Sequence, residues 1–169
     1  MTRRLRLADC DSRDFRDALG CFATGVTIVT THGLTAGDYI GVTANSFASV
    51  SLDPPLVLFS LGRQARSLEA FLACRYFAVN VLSREQIDLS HRFARSAADK
   101  WAGIEHELWE FDCPIFPDCV ASFECGKDRV YEGGDHVIFI GHVEHMSFDP
   151  QAEPLLFLKG RYGGFEEAG

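Results

Sequence analysis

The spacing of apolar positions changes several times along the chain, and each change marks an element. Over residues 12–22, Phe15, Leu19 and Phe22 recur at helical spacing, while Asp11, Arg13, Asp14, Arg16 and Asp17 hold the other faces. This predicts an amphipathic helix capped by Asp11 or Ser12. Residues 26–31 (VTIVTT) are rich in β-branched side chains and predict a strand. Gly33 and Gly37 place a turn over residues 32–38, and residues 39–43 resume as a strand, closing a hairpin. A short apolar strand follows at residues 56–61 (LVLFSL), introduced by Pro54 and Pro55, which cannot donate to a central ladder.

Residues 67–73 read as a short helix, 76–82 (YFAVNVL) as a strand, and 83–94 as a helix. Ser83 is its expected cap, and Ile87, Leu89 and Phe93 form its apolar side. Residues 101–117 show no period. Two strands are expected at 120–127 and 136–148, separated by a turn at residues 128–129 and by Gly133 and Gly134; residues 154–162 end the fold. Strands outnumber helices and do not alternate with long helical crossovers. The pattern therefore disfavours a doubly wound sheet and predicts a mainly β fold, an antiparallel barrel or sandwich with peripheral helices. Residues 1–11, with Arg3, Arg4 and Arg6 but no apolar run, are expected to be a flexible tail without a secretion signal. Residues 12–169 form one domain.

Composition narrows the function classes. The chain is 47% hydrophobic and 24% charged, which excludes a disordered or fibrous reading. A formal net charge of −8 leaves no basic stripe for nucleic acid, so any anionic ligand must be held locally. No run approaches the ~18 apolar residues of a membrane span. The cysteines (Cys10, Cys21, Cys74, Cys113, Cys119, Cys125) lack paired spacing and read as reduced thiols in a cytoplasmic protein. Zinc ligands usually pair at closer intervals than the six-residue recurrence of the last three, so no metal site is expected.

Several familiar site patterns are missing from the sequence: GxGxxG after a strand, a Walker loop around Gly126-Lys127, and a GxSxG elbow. His142 and His145 read as ordinary strand histidines. Short polar residues crowd the stretch after the second strand: Thr43, Asn45, Ser46, Ser49 and Ser51. Such side chains either satisfy their own backbone in turns or leave N–H groups free for a planar heterocycle or a phosphate. Arg63 and Arg66 precede Ser67 at a helix start, an arrangement that fits either an anion site or a solvated turn. Asp135 beside His136 either orients an imidazole or belongs to turn chemistry.

Four blocks occur in order: FATGVTIVTT (22–31), GVTANSFASVSLDPPLVLFSL (41–61), GDHVIFIGHVEH (134–145) and PLLFLKGRYGGF (154–165). Together they resemble the short-chain flavin reductases that supply reduced flavin to two-component monooxygenases, over residues 12–165. The resemblance implies an FMN-binding split β-barrel, antiparallel and Greek-key, working as a homodimer with flavin in a groove at the subunit interface. It places Thr43, Ala44, Asn45 and Ser46 along the isoalloxazine, and Ser60, Leu61, Arg66 and Ser67 at the ribityl phosphate. Phe93 would lie near the outer part of the flavin. His136, as the catalytic candidate, and Lys159, Gly160, Arg161 and Tyr162 would serve the nicotinamide side. Lys159 departs from the arginine often expected there, which changes the grip on phosphate.

The implied cofactors are FMN or FAD, with NADH, or alternatively NADPH, as reductant. The implied partner is a flavin-dependent monooxygenase; neither nucleic acid nor membrane is expected. Hydride transfer between two stacked rings asks for near-attack distance and N–H groups, not a carboxylate pair or thiolate. Two other readings stay open at this point. One is a split-barrel oxidase with tightly bound flavin, the other a non-catalytic flavin-binding module.

Overall fold

The computed structural model describes residues 6–35, 37–97 and 99–166. Residues 1–5 of the expected tail lie outside them, and Leu7–Asp9 forms a 3-10 turn. Helix α1 (Ser12–Leu19) is capped by Asp11, whose carboxylate accepts from the N–H groups of Arg13 and Asp14 at 2.8 Å. It stops short of the expected residue 22, and none of its residues is buried. The strands β1 (Thr24–Gly25), β2 (Thr27–His32), β3 (Tyr39–Ala44), β4 (Ala48–Leu52) and β5 (Pro55–Gly62) follow. Helix α2 (Leu68–Ala73) leads to β6 (Tyr76–Val81). The next helix starts as a 3-10 turn at Arg84–Gln86, where Ser83 and Gln86 form a capping box, and continues as α3 (Ile87–Ala94). Short strands β7 (Glu107–Leu108) and β8 (Pro114–Ile115) precede the long β9 (Ala121–Gly133) and β10 (His136–Phe148). The small strand β11 (Leu156–Leu158) pairs with β1 on one side and with β12 (Arg161–Gly163) on the other.

Seven strands make one antiparallel sheet in the order β3-β2-β6-β9-β10-β5-β4. The hairpins β2–β3, β4–β5 and β9–β10 are local, while β6 inserts between β2 and β9 in a Greek-key crossover. The two edge strands of this sheet are consecutive in sequence, joined only by residues 45–47. That link spans at most about 14 Å, whereas seven flat strands would set the edges about 29 Å apart. The sheet must therefore curl until β3 meets β5, which makes it a barrel with a seam. Inside lie Phe59, Phe71, Phe77 and Phe139, all fully buried, with the Phe59 and Phe139 rings stacked at 4.9 Å between centroids.

One expected turn is displaced. Residues 128–129 do not turn: Ile140 pairs with Arg129 and Gly141 with Lys127, so Asp128 is the extra residue of a β-bulge inside β9. The hairpin turn sits at the glycines instead. Strand β4 has no alternating pattern in the sequence because it is an exposed edge, with no buried face to impose one. No helix among the described residues is long and apolar enough to cross a membrane.

Candidate functional site

The seam of the barrel is held by a serine pair. Ser46 Oγ donates to the carbonyl of Ser60 and accepts from the Ser60 N–H, both at 2.9 Å. The hydroxyl that the sequence offered to a ligand thus fastens the β3–β4 link to β5, leaving main-chain groups and the exposed Asn45 to face outward. Thr43 Oγ1 donates to the carbonyl of Ser90 in α3 at 2.7 Å, and Ala44 accepts from Thr27 Oγ1 at 2.7 Å. Leu61 points its side chain into the core, so only its backbone can face a ligand.

A cavity of about 510 Å³ is lined by Gly41, Arg66, Ser67, Phe93, Lys100 and Trp101 among others; of the expected flavin residues it brings together Arg66, Ser67 and Phe93, while Thr43–Ser46, Ser60 and Leu61 do not line it. Its walls are set by close packing. Phe93 is fully buried, edge-on to Trp101 at 4.8 Å, and a Cβ on Gly41 would lie 2.6 Å from the Phe93 ring. Only glycine fits there. Lys100 Nζ donates to the carbonyl of Phe93 at 3.2 Å, and partial burial lowers the pKa of its ammonium. Ser67 occupies the N-cap position of α2, yet its hydroxyl makes no capping bond. Arg66 is exposed at the mouth.

The two arginines read alike in sequence, but the structure separates them. Arg63 is committed to the β9–β10 turn: its Nε donates to the carbonyl of Gly134 at 2.9 Å, its N–H to that of Asp135 at 2.9 Å, and its guanidinium pairs with Glu132. Arg66, by contrast, is exposed and lines the first cavity. His136 starts β10 opposite Gly62, half-exposed, with Nδ1 2.7 Å from Asp135 Oδ1. That hydrogen bond holds the Asp135 carboxyl below its ordinary range.

Lys159 (φ +50°) and Gly160 (φ +76°) form the tight turn between β11 and β12. Lys159, Arg161 and Tyr162 line a second cavity of about 530 Å³. His136 lines neither cavity within one subunit. Lys100, Trp101 and Ser90 are residues that sequence reasoning missed. The first two sit in or next to a segment without periodicity, and Ser90 looks like any polar helix residue. No group of three or more His, Cys, Asp or Glu among the described residues could hold a metal. Burial pushes the thiols of Cys119 and Cys125 up to about 12, so neither offers a thiolate.

The flavin reductase-like domain model matches residues 19–166. The chain belongs to the flavin reductase-like family. Among solved structures, the NADH:FAD oxidoreductase SgcE6 of Streptomyces globisporus is 37% identical, with a TM-score of 0.92 and full coverage of both chains. The reductase subunit HsaB of a flavin-dependent monooxygenase from Mycobacterium tuberculosis is 42% identical over 161 residues, covering 94% of this chain and 85% of that protein. A probable flavin reductase of Rhizobium meliloti is 51% identical over 133 residues; the alignment covers 79% of this chain and 42% of that longer relative. These matches bear out the family, the mainly β antiparallel fold and the flavin reductase resemblance of the four sequence blocks.

The residues present fit a flavin. The first cavity pairs an aromatic and glycine wall, suited to a flat ring system, with the cations Arg66 and Lys100 for a phosphate. Its volume lies in the usual range of about 300–1,000 Å³ for small-molecule sites.

Proposed function

We propose that this flavin reductase-like protein uses NADH to reduce FMN or FAD and releases the reduced flavin to a separate monooxygenase. The observation that carries the reading is the cavity joining Arg66 and Ser67 to the Gly41–Phe93–Trp101 wall. Relatives described as an NADH:FAD oxidoreductase and as the reductase subunit of a flavin-dependent monooxygenase support the reductant and the partner. Bound flavin supplies the hydride-accepting ring. The chain's task is to bind and orient: backbone N–H groups of residues 43–46 face the ring edge, and Arg66 takes the phosphate. His136, its Nδ1 held by Asp135, presents Nε2 to the dinucleotide. The deciding experiment is NADH oxidation by purified protein with FMN, FAD or riboflavin added in turn. Saturable dependence on free flavin supports the reductase; consumption of NADH at background rate with every flavin overturns it.

Arg66→Ala is expected to weaken FMN about tenfold and riboflavin less than twofold. A charge-assisted hydrogen bond contributes about 1.5–3 kcal/mol, and the exposure of Arg66 leaves the lower part of that range. Titrations of both flavins check it, and equal losses would remove the phosphate role. His136→Ala is expected to raise the KM for NADH about tenfold, from the loss of one hydrogen bond to a charged ligand. Flavin affinity should stay within a few-fold. Collapse of flavin binding with unchanged NADH kinetics would move His136 to the flavin side.

A further inference from the structure

Ser90 interrupts the buried face of α3 with a hydroxyl, between Leu89 and Phe93. A buried polar group needs partners, and Ser90 has two that belong to different halves of the candidate site. Its Oγ lies 2.8 Å from Tyr162 Oη, where either hydroxyl can donate, and its carbonyl accepts from Thr43 Oγ1 at 2.7 Å. The side chain of Tyr162 is also held edge-on by His91, at 5.0 Å between ring centroids. Ser90 is fully buried, so water cannot replace the bond to Tyr162 in place.

We propose that Ser90 is a positioning residue that couples the two halves, holding Tyr162 through its side chain and Thr43 through its main chain. One helical residue then fixes the spacing between the end of β3 and the β11–β12 turn. This inference rests on the reading that Thr43 lies on the flavin side and Tyr162 on the dinucleotide side. A stack of two rings is sensitive to sub-ångström error in that spacing. Ser90 touches neither cofactor in this scheme and acts only through its two partners.

The test is a double-mutant cycle in NADH-dependent FMN reduction, using Ser90→Ala, Tyr162→Phe and the double variant. Each single change removes the same hydroxyl pair and leaves the Thr43 bond to the Ser90 carbonyl intact. Each is expected to raise the KM for NADH about threefold to tenfold with the FMN dissociation constant unchanged, and the double variant should be no worse than the worse single. Multiplying effects, or a lowered melting temperature with unchanged KM, would overturn the coupling. If Ser90→Ala does not fold, Tyr162→Phe still decides from the half-buried end: unchanged KM for NADH overturns the proposal. Wild-type protein that fails to oxidise NADH with any flavin overturns the reductase reading itself, and Ser90 falls with it. Active wild type with an unchanged Tyr162→Phe variant removes Ser90 alone.

Discussion

Asn80→Ala is expected to lower the thermal unfolding midpoint by about 6–12 °C. Asn80 is fully buried on β6, and both ends of its amide are hydrogen-bonded. Nδ2 donates to the carbonyls of Ile28 at 3.2 Å and Pro114 at 3.3 Å. Oδ1 accepts from the Phe116 N–H at 3.1 Å and from Ser122 Oγ at 3.2 Å. Truncation leaves buried groups without partners, at about 1–3 kcal/mol each for those that cannot relax. A total near 3 kcal/mol shifts the midpoint of a domain this size by about 2–4 °C per kcal/mol. The effect reaches the site, because Phe116 stacks on Trp101 at 5.6 Å and contacts Phe93 at 5.2 Å, the two rings that wall the first cavity. Flavin affinity is therefore expected to fall with stability. Circular dichroism melts check the first part; a shift under about 2 °C would mean that segment 114–116 re-pairs without Asn80.

This hub also shows why the sequence was only partly legible. Strands β2 and β6 announce themselves because β-branched and aromatic residues cluster where both faces of the sheet are covered. Segment 101–117 has no period of its own. It is held by side chains distant in sequence, Asn80 and the buried Glu124, whose Oε1 accepts from the Phe111 N–H at 2.9 Å. Lys100 and Trp101 inherit their place at the cavity from that tertiary packing, so no local pattern could point to them. The TANSF block was legible as a resemblance, but the use of the Ser46 hydroxyl was not. Its partner lies fourteen residues away, across a seam that exists only once the sheet has curled. Arg63 and Arg66 differ in role because a hairpin turn some seventy residues later captures only the first.

Charging exposed apolar side chains of β4 and β10 is expected to convert a dimer into monomers and abolish reductase activity. Leu52, at the end of edge strand β4, is 94% exposed, and Met146 and Phe148, at the end of β10, are 63% and 67% exposed. Leu52 pairs with Pro55 on β5, whose next residue Leu56 pairs with His142 on β10, and Met146 and Phe148 lie on the part of β10 that runs on beyond β5. An exposed edge strand flanked by large apolar side chains is a surface that a stable protein covers. Helix α1 and the residues just after it add to the uncovered surface, with Phe15, Leu19 and Phe22 turned to solvent in the single chain. A two-fold partner laid on β4 would also sit against the residue 45–47 link, and so against the seam of the candidate site. It is also the simplest way to bring a second subunit's His136 to a cavity that lacks it within one chain. Sedimentation velocity at micromolar concentration should give about twice the 18.8 kDa chain mass. Leu52→Asp combined with Phe148→Asp should give a folded species of single mass, because neither side chain is part of the core, with no NADH-dependent flavin reduction. A monomeric double variant that keeps full activity would place the whole site within one subunit and end the interface reading, while leaving the cavity beside Arg66 as the flavin site.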